Sequence, residues 1–393
     1  MKPYAGKAED ESSPRWPILL FYAGTFLFWA GLYVYVPTLA PYTEFLGGSL
    51  SLIGLVVGAY GLTQALFRIP VGVWSDRKGR RKPVMLVGLL LVSLSGLGLA
   101  LSPNVWCLIL SRGMAGLAAS SWVVMSVFFA SYFPDRQATR AMGLISFCTG
   151  VSQMVSIYSG GWIAEAYGWI PPFYVGAGLG AVGACFMAAL PERSSQRPRT
   201  ASLGQILTVG RAPLLLVLSA IAALRQYATF ATMYGFIPLY AVRLEASKEQ
   251  LGLLTLVGVV SRTIATLLSG SFVAERVGYG RTVGVGLLLS AASIGGIPLI
   301  HTFTKLCLAQ ALNGIGAGLA WPVMMGLVIR TVPPEDRATA MGFFQAIYAI
   351  GMFGGPAMAG IVGDWLGLAG VFLSTGLVCG IAGLLAFLKI PAE

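Results

Sequence analysis

Two arginines lie near the middle of long apolar stretches, where a charged side chain needs a partner. These are Arg225 and Arg262, whereas all 15 carboxylates lie at the ends of apolar stretches, in loops or near the termini. An arginine at the centre of a bilayer costs about 2.5–3.5 kcal/mol on insertion scales. Guanidinium groups bind carboxylates and phosphates through paired N–H donors. The pattern therefore predicts a site for an organic anion or a zwitterion.

Two other interpretations of the same residues stay open. In one, both guanidinium groups donate to helix carbonyls and stabilise packing; in the other, they couple a conformational change to a proton. Arg68 lies within two turns of the end of its apolar stretch, where a long side chain can reach the interface. The 5 cysteines are scattered and show no metal-ligand spacing. No metal and no cofactor is therefore expected.

The elements that must hold these residues are membrane-spanning helices. The chain is 56% hydrophobic and 10% charged, with a mean hydropathy of +0.78, whereas soluble domains carry about 25% charged residues. A helix needs roughly 20 apolar residues to cross the hydrocarbon core. The composition predicts an all-α integral membrane protein, and a polar interruption at 191–211 with an internal repeat divides it into two pseudo-symmetric six-helix bundles. The twelve predicted segments are 17–44, 50–75, 83–101, 104–131, 139–165, 170–190, 212–242, 248–274, 281–300, 303–330, 338–364 and 368–389.

A strongly basic turn follows the second segment and sets the predicted orientation. It occupies residues 72–82, and a weaker copy occupies 270–281. Four of the 26 Lys and Arg residues lie inside segments, and only Arg243, Lys248 and Lys305 lie in the opposite loops. This asymmetry follows the positive-inside rule and predicts both termini in the cytoplasm. The net charge of +11 is therefore interpreted as an orientation signal and not as a nucleic-acid-binding surface.

The sequence repeats itself once, and the repeat predicts the domain organisation. Asp76 aligns with Glu275 and Gly79 with Gly278, and further matched blocks lie at 134–143 with 334–342 and at 161–165 with 360–364. Parallel repeats of this kind build alternating-access transporters, in which the solute binds between the halves. The predicted parts are an N-terminal tail at 1–16, a first bundle at 17–190, a linker at 191–211, a second bundle at 212–389 and a tail at 390–393.

These motifs resemble the signatures of the major facilitator superfamily over essentially the whole chain. The family's turn between helices 2 and 3 reads Gly-x-x-x-Asp-Arg-x-Gly-Arg-Arg/Lys, which residues 72–81 match, and residues 112–116 are similar to its helix 4 signature. The chain looks most like the bacterial twelve-helix efflux branch. It departs from drug:proton antiporters in helix 5, where Ser156 and Ile157 replace Gly-Pro, and carries Gly355-Pro356 in helix 11 instead.

The resemblance implies a cavity and a conformational latch. Helices 1, 4, 7 and 10 line the cavity in the family, and Arg112 stands where related carriers control coupling. The substrate or coupling candidates are Arg112, Arg225, Arg262, Gln310, Asn313, Tyr33, Gln226, Tyr234 and Trp321, with Gln153, Gln345 and Tyr348 from helices 5 and 11. The Asp76 carboxylate can accept from an arginine or from a helix N-terminus when the cytoplasmic side is shut. The predicted latch comprises Gly72, Asp76, Arg77, Gly79, Arg80, Arg81, Glu275 and Arg276, unless these arginines only anchor the topology.

The expected function is secondary active transport of a small solute, favouring an organic anion or zwitterion, with protons as the coupling ion by family analogy. The alternative is efflux of amphipathic drugs by proton antiport, which the aromatic candidates also fit; a channel or a transport-like receptor is a remote alternative. The residues show no nucleophile-base set and no phosphate loop, so an enzyme is not expected. We expect a monomer in the inner or plasma membrane, with the lipid bilayer as its other partner.

Overall fold

The computed structural model describes helices joined by short turns, with no strand among the described residues. These residues are 16–133, 138–192, 208–269, 273–333 and 336–391. In chain order the helices are α1 (Trp16–Tyr33), α2 (Val36–Phe45), α3 (Leu50–Lys78), α4 (Lys82–Ala100), α5 (Val105–Ser120), α6 (Trp122–Ala130), α7 (Ala138–Tyr167), α8 (Pro171–Ala188), α9 (Pro213–Ala231), α10 (Ile237–Arg243), α11 (Lys248–Leu268), α12 (Ala274–Val277), α13 (Tyr279–Gly295), α14 (Phe303–Arg330) and α15 (Arg337–Lys389). The predicted all-α membrane fold is confirmed. Most of the predicted N-terminal tail and linker, and the end of the C-terminal tail, lie outside the described residues.

Length and apolarity identify the spanning helices. Within the described chain, 9 helices are long and apolar enough to cross a membrane. The last one, Thr339–Lys389, has 51 residues, or about 75 Å at 1.5 Å per residue, more than twice the hydrocarbon thickness. It breaks at Gly367, where φ is 67° and ψ is −173°. Its two arms therefore lie where the last two segments were predicted, and the total of twelve spans stays a prediction.

Two predicted segments are interrupted in ways that the apolar pattern does not show. The first segment divides into α1 and α2 at Val34 and Tyr35. The seventh contains a π turn, Thr232–Phe236, between α9 and α10. Pro238 follows that turn and has no N–H for the carbonyl four residues earlier, which loosens the α-helical bonding just before it.

Left-handed backbone positions recur at equivalent turns of the two halves. Glycine tolerates this conformation because it has no Cβ. In the first pair, Gly79 and Gly278 have φ of 64° and 92°; in the second, Gly168 and Gly367 have φ of 96° and 67°. Each pair is separated by the 199 positions that align Asp76 with Glu275 in the sequence repeat.

The two halves meet where α3 lies against α15 and α7 lies against α11. Glycines permit this approach of backbones, as they do generally between lipid-embedded helices. A Cβ on Gly61 of α3 would lie 2.6 Å from the carbonyl carbon of Met352, and one on Gly161 of α7 would lie 2.9 Å from Cα of Gly252. The contacts leave a space between the halves near their middle.

Candidate functional site

A cavity of about 610 Å³ lies between the two halves, a size typical of sites for small organic ligands. Aromatic pairs join the halves at its wall. The ring centroids of Tyr33 and Tyr234 are 5.9 Å apart in an edge-to-face arrangement, and those of Tyr60 and Phe230 are 6.1 Å apart and stacked. The sequence candidates that line the cavity are Tyr33, Arg225, Gln226, Tyr234, Arg262 and Trp321, together with Gln153 and Tyr348.

The cavity wall carries three positive charges. Arg68 comes from the first half, and Arg225 and Arg262 come from the second. The described lining contains no carboxylate. A low-dielectric surrounding strengthens the field of each cation, so the space between the halves attracts anionic groups.

Arg225 of α9 is held largely by the protein. Its Nη1 donates to Oε1 of Gln226 at 2.9 Å, and its Nη2 donates to the carbonyl of Ala317 at 3.1 Å. The guanidinium carbon lies 4.6 Å from the ring centroid of Trp321, a cation–π geometry. Most of this side chain is therefore fixed, with only 4% of the residue exposed.

Arg262 of α11 is much less constrained. Its Nη1 donates to the hydroxyl of Tyr234 over 3.4 Å, close to the upper limit for a hydrogen bond. The residue is half-buried on the cavity wall. A guanidinium has five N–H donors, so Arg262 keeps most of its donors for a bound group.

Arg68 and Arg112 hold different positions in the first half. Arg68 lines the cavity and donates from Nη1 to the hydroxyl of Tyr348 in the other half at 3.4 Å. Arg112 does not line the cavity; it is buried, donates to the hydroxyl of Tyr35 at 3.2 Å and lies 4.5 Å from the ring centroid of Tyr60. Tyr60 itself lines the cavity, so Arg112 contacts this wall only from behind.

Gln310 and Asn313 lie away from the cavity, inside the second half. Asn313 Nδ2 donates to Oε1 of Gln310 at 3.2 Å, and both residues are buried. A Cβ on Gly258 would lie 3.0 Å from Cγ of Gln310, which shows that this side chain packs against α11. Gln345 is also absent from the cavity wall.

Many lining residues were not among the sequence candidates, and helical spacing offered a signal for one of them, Trp29. Trp29 lies four residues before the candidate Tyr33, so the two share a helix face. Gln64 lies four residues after Tyr60, which also lines the cavity but was not a candidate itself. Trp122 also lines the cavity. It sits at the start of α6, after a break in the fourth segment at Ser121 that the apolar run does not indicate.

One end of the bundle, which we call the sealed end, carries the turns near residues 46–49, 168–170 and 244–247. Two carboxylates there cap helices of the opposite half. Oε2 of Glu165 accepts from the backbone N–H of Lys248 at 2.8 Å. Both carboxylate oxygens of Asp364 accept from the backbone N–H of Ser51 at 3.3 Å, and Oδ2 also accepts from its hydroxyl. We call Glu165 and Asp364 the capping carboxylates.

The two caps are equivalent in the internal repeat. Lys248 begins α11, and Ser51 lies in the first turn of α3, so each carboxylate lies at a helix N-terminus, where the backbone dipole favours negative charge. An ion pair between Glu44 and Arg243 adds another link between the halves at this end. Together these contacts close the cavity on that side.

The opposite end, which carries residues 72–82, is the open end. The cavity lining extends toward this end at Arg68, Gly143, Phe147 and Leu267. By contrast, a Cβ on Gly161 near the sealed end would lie 2.9 Å from Cα of Gly252 in the other half. Under the predicted orientation the open end faces the cytoplasm, so the described conformation would face inward.

The predicted latch residues lie at this open end. Gly79 ends α3 with φ of 64°, as the tight turn requires. Arg77, Arg80, Glu275 and Arg276 are exposed, Gly72 is half-buried and Arg81 is buried. The side chain of Asp76 lies outside the described part of the structure, and the latch stays a prediction.

Sequence comparison identifies the family. The profile of the Major Facilitator Superfamily matches residues 21–260 and 219–393. The chain belongs to the major facilitator superfamily. Members of this superfamily are transporters and not enzymes, so the chain is a multi-pass membrane transporter of a small molecule.

Individual superfamily members match over most of their length. The uncharacterized MFS-type transporter MJ1560 of Methanocaldococcus jannaschii is 22% identical, and the alignment covers 95% of this chain and 98% of the relative. Inner membrane transport protein YajR of Escherichia coli is 27% identical, with 88% and 77% covered. The class C tetracycline resistance protein of Escherichia coli is 25% identical, with 80% and 82% covered.

Solved structures of the superfamily share the fold. A bacterial homolog of the human lysosomal transporter Spinster, in an inward-facing and occupied conformation, superposes with a TM-score of 0.81 at 17% identity and covers 97% of this chain and 98% of its own. The nucleoside transporter NupG gives a TM-score of 0.74 at 18% identity, with 95% and 98% covered.

Proposed function

We propose that this chain is a secondary transporter that moves an organic anion or a zwitterion through the central cavity by alternating access. Arg262 carries the proposal, because it is a half-buried cation on the cavity wall whose one described side-chain bond is 3.4 Å long. The surrounding lining, as far as it is described, supplies no negative charge. An acidic group of the solute would be the natural partner for its free N–H donors.

Arg225 supports the same proposal from a fixed position. Its bonds to Gln226 and Ala317 and its packing on Trp321 hold the guanidinium in place. Because the protein itself holds the Arg225 guanidinium, this charge adds to the positive field in the cavity without binding the solute directly. Arg262 therefore makes direct contact with the acid, and Arg225 sets the field around it.

The test is transport by the full chain in liposomes, after a thermal-shift screen of purified protein against anions, zwitterions, neutral compounds and cations of similar size. For an acid that binds, Arg262→Gln should weaken binding by about tenfold or more, because a charged hydrogen bond contributes about 1.5–3 kcal/mol. Arg262→Lys should restore part of the affinity, since lysine keeps the positive charge but lacks the paired N–H donors of a guanidinium. Unchanged counterflow in Arg262→Gln, at equal amounts of folded protein, contradicts the proposal.

Proton coupling is part of the proposal and rests on family analogy. Since the described wall has no carboxylate, the proton would travel with the solute or through a peripheral group such as Glu44 or Asp76. Uptake driven by an imposed pH step should vanish when an ionophore collapses the gradient. Counterflow at equal pH on both sides should persist, which separates coupling from binding.

Efflux of amphipathic compounds is the second candidate. The aromatic pairs in the cavity and the tetracycline resistance relative favour it. Such a transporter would accept cations and neutral compounds as well as acids. A screen in which hydrophobic cations stabilise the protein more than acids do, unaffected by Arg262→Gln, would favour this second candidate.

A further inference from the structure

We propose that the solute is an aromatic organic acid, held by its acid group on one half of the protein and by its ring on the other. This inference rests on the proposed function and names the class of substrate. The acid would contact Arg262 of the second half. The ring would stack on Trp122 of the first half.

The chemistry of the cavity is divided between the halves. The second half supplies Arg225 and Arg262, while the first half supplies two tryptophans, Trp29 and Trp122. Arg68 of the first half also lines the cavity, and its Nη1 donates to the Tyr348 hydroxyl of the second half at 3.4 Å. The second half therefore supplies two of the three lining arginines, and both halves supply aromatic rings to the wall.

Trp122 presents an aromatic surface that a ligand can reach. It is half-buried on the cavity wall, and its ring packs edge-to-face with the buried Trp29, with centroids 5.2 Å apart and planes at 72°. That contact fixes the orientation of the Trp122 ring. Trp321 on the opposite wall is different, because the Arg225 guanidinium already lies 4.6 Å from its centroid.

A solute of this class would contact both halves, as alternating access requires. A ligand shifts a conformational equilibrium only through contacts that differ between the states. A small acid bound at Arg262 would lie beside its partner Tyr234 and near Tyr33 of the first half. An acid whose ring reaches Trp122 gains contacts that depend on the distance between the halves. Binding of the solute is then coupled to the movement of one half relative to the other.

Three probes that differ in one property each separate the ring from the charge. They are 3-phenylpropionate, 3-cyclohexylpropionate, which lacks the aromatic ring, and 3-phenylpropionamide, which lacks the charge; indole-3-acetate and 1-naphthoate extend the series. Affinity for the full chain in nanodiscs is measured by calorimetry or thermal shift. We expect 3-phenylpropionate to bind about threefold or more tighter than its cyclohexyl analogue, since aromatic pairing adds to area burial.

Variants assign each preference to its half. Trp122→Leu should abolish the preference for the aromatic over the cyclohexyl acid and keep the preference for acid over amide; Trp122→Phe should retain part of the former. Arg262→Gln should abolish the preference for acid over amide and keep the preference for the ring. Trp106→Leu is the matched control, because Trp106 belongs to the same half, is 64% exposed and does not line the cavity.

The results separate this inference from the proposed function. Equal binding of the aromatic and cyclohexyl acids, or an aromatic preference that survives in Trp122→Leu, overturns the ring assignment while leaving an anion transporter in place. Failure of every aromatic acid in the series to bind also overturns it. Equal binding of acid and amide removes the proposed function itself.

Discussion

The capping carboxylates should set the fraction of protein molecules in which the sealed end is closed. Glu165 and Asp364 each accept hydrogen bonds from the first turn of a helix in the other half, and both are exposed. We consider Glu165→Gln and Asp364→Asn together, because each change removes a charge and keeps an acceptor oxygen. A charge at a helix N-terminus contributes typically 0.3–1 kcal/mol at an exposed site.

For two exposed caps we take about 0.5 kcal/mol each, or about 1 kcal/mol together. The double variant should therefore shift the ratio of sealed to outward-open protein about fivefold, and each single variant about twofold. Added salt should move the wild-type protein in the same direction, since it screens exposed charges. The double variant should respond less to salt than the wild type does.

The measurement is a distance distribution between spin labels across the sealed end. Leu101 and Leu299 lie beyond helix ends at this side, in different halves, and are 67% and 80% exposed. Both would be replaced by cysteine after the 5 native cysteines are changed to serine or alanine. The long-distance population should grow in the double variant in nanodiscs.

The control is Glu245→Gln. Glu245 is an exposed carboxylate in a turn of the same end, and it takes no part in the two caps. This change should leave the distribution as it is in the wild type. If Glu165→Gln with Asp364→Asn leaves it unchanged too, or if Glu245→Gln produces the same shift, the capping argument is wrong.

Further predictions concern single contacts. Gly161→Ala should hinder sealing and lower transport severalfold, because its Cβ would lie 2.8 Å from the Lys248 carbonyl. Gly178→Ala on α8 should have little effect in a liposome assay, because its Cβ would meet no atom within 4 Å and Gly178 does not line the cavity. A double-mutant cycle on the exposed Glu44–Arg243 pair should give a coupling energy below about 1 kcal/mol in thermal unfolding. Gly79→Ala should cost about 1 kcal/mol or more of stability, because φ is 64° there and a Cβ disfavours the left-handed conformation.

The spans and the turns between them could be predicted from the sequence. Apolar length located the helices, and the left-handed glycines Gly79 and Gly278 lie in the charged turns that revealed the repeat. These features are local, since a run of apolar residues or a glycine in a turn needs no knowledge of the neighbouring helix. The family followed from the same charged turn.

Which side chains point toward the cavity was harder to predict. Helices in lipid are apolar on the lipid side and on the protein side, so periodicity does not reveal which face points inward. Gln310 and Asn313 were expected near the solute because Gln310 occupies on helix 10 the position of Arg112 on helix 4, and the structure places them against each other inside the second half. The breaks at Tyr35 and Ser121 also change the facing of the residues that follow, which kept Trp122 out of the sequence candidates.

The π turn at Thr232–Phe236 controls rotation within the seventh span. An α-helix turns about 100° per residue, and a π turn accommodates one residue more than an α turn. If the same residues formed a regular α-helix instead, Arg243 would rotate by nearly that angle relative to Arg225, whereas deletion of one residue at the π turn would keep the two arginines in register. Arg225 faces the cavity while Arg243 pairs with Glu44, so a span with the same residues and no π turn could orient one arginine correctly only by misdirecting the other.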